Sequence, residues 1–383
     1  MEQYGFDKVW LQPVMVPHWV RGAKEQASIL SKRIGTRQVN VVALGNSVGT
    51  GTGGITAGLI EVKSFEELAQ RRQEVAGKIV FFNRPMDPRV IDTFSSYGQA
   101  AAQRSLGPSE AAKYGAIGVV VRSLTTLIDD VPHTGSTNYQ LNIPKIPAVA
   151  ISTRDAELLS ERLRLEPSLE FYFETHSQML EDKLSFNVIG EITGSEFPDQ
   201  YIVVGGHLDS WDLGQGAHDD GAGCVQSIEV LRIFKELGIK PRHTLRAVMF
   251  MNEENGLRGG RKYAEEAQEK GERHLMAMES DRGGFLPIGF TLDMADAQMA
   301  KVKEWAFLFH PFGIYQFEKG GGGADISPLK SQGVPLIGFL PDSQRYFDIH
   351  HTSEDTFDKV NKRELDMGAA AMALMVYLMD REF

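Results

Sequence analysis

The sequence predicts an α/β protein: a sheet of mostly buried strands covered by helices on both faces. Three observations predict it. Short, near-continuous apolar runs recur, among them YIVVGG (201–206), TLRAVMFM (244–251), HLMAMES (274–280) and VPLIGFL (334–340), as expected of strands with neither face in water. Amphipathic stretches separate them. In DDGAGCVQSIEVLRIFKELG the apolar Val225, Ile228, Leu231, Phe234 and Leu237 fall at helical spacing, and Gly238 supplies the stop. The third observation is bulk: 383 residues, 42% hydrophobic and 24% charged, make a folded chain with more than one core.

The first half repeats this rhythm on a smaller scale. GKIVFFN (77–83) reads as a strand, SEAAKYGA as a helix, IGVVVRS (117–123) as a strand, and KIPAVAISTRDAELLSERL as a strand feeding a helix. The expected organisation is therefore a main domain formed by residues 1–45 and 181–383, interrupted by a smaller α/β domain at 46–180. ETHSQMLEDKLSF reads as the polar return linker. Of two Gly-rich stretches, GNSVGTGTGG (45–54) reads as a loop between domains and KGGGGAD (319–325) as a mobile loop lining the pocket. Neither ends in the Gly-Lys-Ser/Thr of a phosphate-binding loop.

Composition removes several function classes. The net charge is −11 and no basic stripe is present, which argues against a nucleic-acid partner. The longest apolar stretch near either end, Ala369–Met379, falls short of the roughly 20 residues a membrane span needs. The opening MEQYGFDKVW has neither the basic start nor the apolar core of a signal peptide. With Cys224 as the single cysteine, an internal disulfide and a thiolate metal cage are both excluded. Any metal must be held by His, Asp and Glu.

Those residues collect where an open α/β sheet binds its ligands, beyond the carboxyl ends of the strands. YIVVGG leads to His207 and Asp209, and the following helix opens with Asp219 and Asp220. RAVMFMN leads to Glu253 and Glu254, HLMAMES to Asp281, and VPLIGFL through a loop to His350 and His351. Taken singly, each has an ordinary explanation: a helix cap, a solvated loop, a hydrogen-bonded structural histidine. Taken together at successive strand ends, they form the imidazole and carboxylate set that divalent metals take. Two ions roughly 3.5–4 Å apart need about five such ligands, one of them bridging. Adjacent glutamates then divide the labour: one ligates, and the other takes a proton from the attacking water and passes it to the leaving amine. Asp209 shares a face with His207 and can accept from the far ring nitrogen, fixing the tautomer. His18, His133, His176, His218, His243, His274 and His310 lack this placement and read as structural.

GGHLDSWDLGQGAHDDGAG, NEENG, MESDRGG and HHTSEDT together resemble the carboxypeptidase Q group within the family of co-catalytic zinc aminopeptidases and glutamate carboxypeptidases. VPHWVRG, PHTGSTNYQ and KIPAVAIS extend the resemblance over nearly the whole chain. It implies a zinc-peptidase domain carrying an inserted protease-associated domain, and two Zn2+ ions. His207 and Asp281 would hold one ion, Glu254 and His351 the other, with Asp219 bridging and Glu253 as general base. The family's ligand histidine precedes Thr or Ser, which selects His351 and leaves His350 lining the pocket. A cis peptide between Asp219 and Asp220 is also implied, and Asn252 stands where the family has Ala. The implied activity is di-zinc exopeptidase hydrolysis of short peptides, dipeptides foremost. Aminopeptidase, carboxypeptidase and dipeptidase preferences stay open. Asp325 is a candidate to meet an α-amine, and Arg282 or Arg345 to meet an α-carboxylate. The alternatives are a single-zinc acyltransferase resembling glutaminyl cyclase, and a binding protein on an inert peptidase fold. The resemblance further points to a homodimer and to a secreted or periplasmic location, with cytoplasmic as the alternative.

Overall fold

The structure, a computed structural model, describes residues 1–383. The chain forms two compact units. The first comprises Met1–Val16, Lys183–Tyr346 and Glu354–Phe383, the second Pro17–Asp182 with Phe347–Ser353.

The first unit is built on an eight-stranded sheet in the order Lys8–Val20, Gln178–Ile192, His243–Phe250, Phe197–His207, Arg273–Glu279, Leu336–Pro341, Pro287–Asp293, Gln316–Lys319. The four strands from His243–Phe250 to Leu336–Pro341 run parallel, with His207 opposite Phe250 and Gly205 opposite Glu279. Their carboxyl ends therefore lie at one edge, and the segments that follow each strand start from there. Alternation explains the apolar runs. Ile202, Val204, Leu245, Ala247, Met276 and Met278 enter a core with Leu231, Phe234, Met372 and Val376 of helices Ala222–Glu236 and Lys362–Glu382. Val203, Val248, Phe250 and Ala277 enter the opposite core with Tyr263, Ala264 and Ala267 of helix Arg258–Lys270. With both faces covered, polar alternation has no place in these strands. No helix is long and apolar enough to cross a membrane.

The second unit carries another eight-stranded sheet, in the order Gly35–Gln38, Gln26–Ser31, Glu170–Glu174, Ile55–Val62, Ile79–Phe82, Gly118–Arg122, Ala148–Ile151, Val41–Ala43. Helix Thr153–Leu165 starts at Ser152, whose side chain accepts from the Asp155 N–H, an N-cap that follows directly on a strand. Three details differ from the sequence reading. This unit starts at Pro17 rather than near residue 46, because Gln26–Ser31 pairs with Glu170–Glu174, Gly35–Gln38 with Gln26–Ser31, and Val41–Ala43 with Ala148–Ile151. The supposed linker ETHSQMLEDKLSF is largely strand, part of Gln178–Ile192. Its first seven residues are exposed, so main-chain pairing sets the conformation and composition carries no signal. The stretch 45–54 lies inside the second unit, where Gly45 bridges to Ser136.

One charged network is buried beside the first unit's sheet. Arg246 donates to Glu191 at 2.7 Å, to Glu272 at 2.6 Å and to the Tyr263 hydroxyl at 2.8 Å, and that hydroxyl lies 2.8 Å from His274 Nε2. Burial, with Arg246 adding to it, pushes the His274 pKa down to about 4, so the ring is a neutral member of the network at pH 7. Removing one member of a buried pair leaves an uncompensated charge, which costs about 3–5 kcal/mol. Arg246→Met is expected to lower unfolding stability in urea by that amount, and Arg246→Met with Glu191→Gln to recover a large part of it.

Candidate metal centre and active site

His207 is the last residue of its strand and is buried. Its Nε2 lies 3.3 Å from Asp219 Oδ1 and 3.3 Å from Asp281 Oδ1. Neighbouring ligands of a tetrahedral ion bound at about 2.0–2.1 Å are separated by roughly 3.3 Å, so the three atoms have the spacing of one coordination shell. On the other side of the ring, Nδ1 lies 2.8 Å from the main-chain carbonyl of Asp209. An Nδ1–H donated there leaves Nε2 as the free electron pair, the tautomer a ligand requires.

The expected role of Asp209 is thereby corrected. Its carboxylate stands 3.9 Å from the ring, and its backbone oxygen holds the imidazole instead. The carboxylate turns to the glutamate pair, accepting from the N–H of Glu253 at 3.0 Å and of Glu254 at 3.2 Å. These are the first amides of the single helical turn Glu253–Gly256, whose N-cap position, Asn252, has no side-chain cap bond. Asn252 sits at φ 70°, a left-handed conformation that asparagine tolerates better than the alanine the family resemblance leads one to expect.

The peptide between Asp219 and Asp220 is cis. Asp220 turns away from His207 Nε2: its carboxylate accepts from the main-chain N–H of His207 at 2.9 Å and of Gly223 at 3.0 Å. This ties the strand end to the first turn of helix Ala222–Glu236. Asp355, to which the sequence reading gave no role, accepts from the N–H of His218 at 2.8 Å and of Asp219 at 3.0 Å. Glu279, the last residue of its strand, accepts from Ala324 at 2.8 Å and Ile326 at 2.9 Å. A Cβ on Gly323, at φ +147°, would collide with the Glu279 carboxyl, so the Gly-rich segment packs onto Glu279 and is held there.

Of the substrate-pocket candidates, Asp325, on that pinned segment, is fully buried. Arg345 lies at the surface, committed to Glu364 at 2.7 Å and to the ring face of Phe285. Tyr346, unflagged in the sequence, is buried. Burial and the nearby Asp219, Asp281, Asp220 and Glu254 hold its hydroxyl well above the usual phenol range, making it a neutral O–H donor beside the acids.

The electrostatics are lopsided. Burial opposes a charge on His207, but Asp281 and Asp219 outweigh it and raise its pKa well above the ordinary value. Burial, reinforced by like charges, pushes the carboxyls of Asp220, Glu253 and Asp325 well above the usual carboxylate range and that of Glu279 to about 8. One imidazole cannot balance this many acids in a low-dielectric setting. A divalent cation among His207, Asp219 and Asp281 does so, and the donor chemistry of the set fits one.

His350 and His351 belong to the second unit, on the segment Phe347–Ser353. His351 has φ 62° and is clamped to Thr134. The Thr134 N–H donates to the His351 carbonyl at 3.0 Å, and His351 Nδ1 lies 3.3 Å from the Thr134 carbonyl. An Nδ1–H in that contact leaves Nε2 as acceptor, as at His207. The His350 ring stacks on that of His351 at 3.5 Å and meets the edge of Tyr97 at 5.3 Å. Of the histidines read as structural, His218 stacks on Phe285 and accepts from the Gly284 N–H through Nδ1, and His243 pairs with the buried Asp380.

Residues 187–376 match Peptidase family M28. The chain is 38% identical to human carboxypeptidase Q over 378 residues, covering 99% of this chain and 78% of that protein. Among solved structures, a peptidase M28 precursor from Shewanella amazonensis superposes with a TM-score of 0.92 at 36% identity, covering 99% of this chain and 85% of that one. A zinc aminopeptidase from Bacillus subtilis shares the fold, with a TM-score of 0.67 at 21% identity over 98% of this chain and 86% of that one. The chain belongs to peptidase family M28 and is a metallopeptidase.

Proposed function

We propose that the protein is a di-zinc exopeptidase that hydrolyses short peptides, dipeptides foremost. The observation that carries this reading is His207 Nε2 at 3.3 Å from both Asp219 and Asp281, with the ring's other nitrogen occupied by a main-chain carbonyl. His207 and Asp281 would hold the first ion and Glu254 and His351 the second, with Asp219 as the ligand common to both. The similarity to carboxypeptidase Q supports exopeptidase chemistry, and the name of the Bacillus relative supports zinc as the metal. The inserted unit is a protease-associated domain. Full retention of the donor residues argues against an inert scaffold.

Bound there, zinc supplies Lewis acidity that polarises the scissile carbonyl and makes water a nucleophile near neutral pH. The chain's own residues do the rest. Glu253 takes the proton of the attacking water and delivers it to the departing amine. Its burial keeps its pKa above the ordinary carboxylate range, which brings it closer to the pH at which it must both accept and return a proton. Asp209 fixes the turn that carries Glu253 and Glu254 through their N–H groups, so the base keeps its place while the proton moves. The Tyr346 hydroxyl donates to the carbonyl oxygen as negative charge develops on it.

Glu253→Gln should lower kcat for a dipeptide by about a thousandfold, within the range expected for general acid–base catalysis, with zinc content unchanged; wild-type turnover in that variant contradicts the role of Glu253. Elemental analysis should give two zinc ions per wild-type chain, and His207→Ala at most one, with activity lost. A wild-type count of one favours the acyltransferase chemistry instead.

A further inference from the structure

Asp355 does not face His207 Nε2, yet it grips the backbone of an acid that does. Between strand Phe197–His207 and helix Ala222–Glu236 the chain is irregular around Asp219, whose φ −120° and ψ 81° lie outside the helical region. Four hydrogen bonds lace this segment to residues 355–357. Asp355 Oδ1 accepts from the His218 N–H at 2.8 Å and Oδ2 from the Asp219 N–H at 3.0 Å. The Asp355 carbonyl accepts from the Gln215 N–H at 2.9 Å, and Gln215 Oε1 accepts from the Phe357 N–H at 2.7 Å. The contact between Asp355 and Asp219 spans 136 residues of sequence, so tertiary structure supplies it and no local turn could.

His218, Asp219 and Asp355 are all buried, and amides in such a place have no water to turn to if their acceptor is lost. The Asp219 N–H points to Asp355 while the Asp219 carboxylate stands 3.3 Å from His207 Nε2. Two directions at one Cα are thereby set, which leaves the side chain little freedom. A metal ligand must keep its place within about 0.5 Å, on support from the groups behind it. A stretch without a helix or sheet ladder needs that support from elsewhere in the fold.

We propose that Asp355 is a positioning residue for the metal centre: it holds the amides of His218 and Asp219 so that the Asp219 carboxylate keeps the spacing a zinc ion requires. Asp355 then governs zinc affinity without touching ion or substrate. This rests on the reading of Asp219 as a zinc ligand. Asparagine at this position keeps the shape but has one acceptor oxygen, and its NH2 group would face an N–H. One buried amide then loses its partner, and the backbone that carries Asp219 shifts to find another.

The test titrates zinc into the metal-free full chain against a chelating dye of known affinity, with urea unfolding of the same metal-free samples alongside. Asp355→Asn should weaken zinc binding by about ten- to a hundredfold, the usual effect of removing a group that supports a ligand. Its rate on a dipeptide should fall at limiting zinc and recover at saturating zinc, with KM unchanged. A merely structural role would lower the urea midpoint and leave zinc affinity alone, so wild-type affinity in folded Asp355→Asn overturns the proposal. Asp355→Glu keeps the charge and displaces both oxygens by one methylene, and it too should bind zinc more weakly. Wild-type affinity there would mean that charge acts and placement does not, and overturns the positioning role. If the Asn variant does not fold, the Glu variant decides alone. A wild-type chain that takes up no zinc refutes the reading of the site itself, and this proposal with it, a result distinct from wild type and variants binding zinc alike.

Discussion

The crowding of buried carboxylates around one imidazole constrains everything else at the edge of the first sheet. His207 has Asp219 and Asp281 at contact distance, and burial first, then neighbouring acids, pushes up the carboxyls of Asp220, Glu253, Glu279 and Asp325. In a low-dielectric interior such a group is repulsive unless it is protonated or given positive charge. A divalent metal held there would resolve the conflict, and its positive charge would favour an ionised base beside it. Parallel strands bring these acids together, since the register aligns His207 with Phe250 and Gly205 with Glu279.

The acids that do not face His207 Nε2 share a second pattern. Asp209 joins the amides of Glu253 and Glu254, Asp220 those of His207 and Gly223, Asp355 those of His218 and Asp219, and Glu279 those of Ala324 and Ile326. In each case one carboxylate cross-links two main-chain N–H groups and fixes the backbone between them. Hydrogen bonds to a charged group are worth about 1.5–3 kcal/mol each, enough to hold irregular backbone where helix and sheet ladders end. The site is thus rigid for the same reason that it is acidic.

This division explains what could be read in advance. The main sheet was legible because its strands are apolar on both faces and its helices periodic. The group His207, Asp219 and Asp281, which the structure brings together, was legible because strand ends recur with His or acid. Asp355 and the true partner of the Asp209 carboxylate were hidden, because a side chain that bonds to backbone leaves no mark in the identity of its partner. The strand Gln178–Ile192 was hidden by its exposed polar start. Arg345 was misplaced because sequence gives residue type without direction, and its side chain is turned to Glu364.

Anomalous diffraction from crystals of the zinc-loaded protein, recorded at the zinc edge, tests the central claim most directly. The account predicts two peaks sharing Asp219, one bound by His207 and Asp281 and the other by Glu254 and His351. A map without zinc at His207, or with an ion that leaves Asp219 unligated, would contradict it.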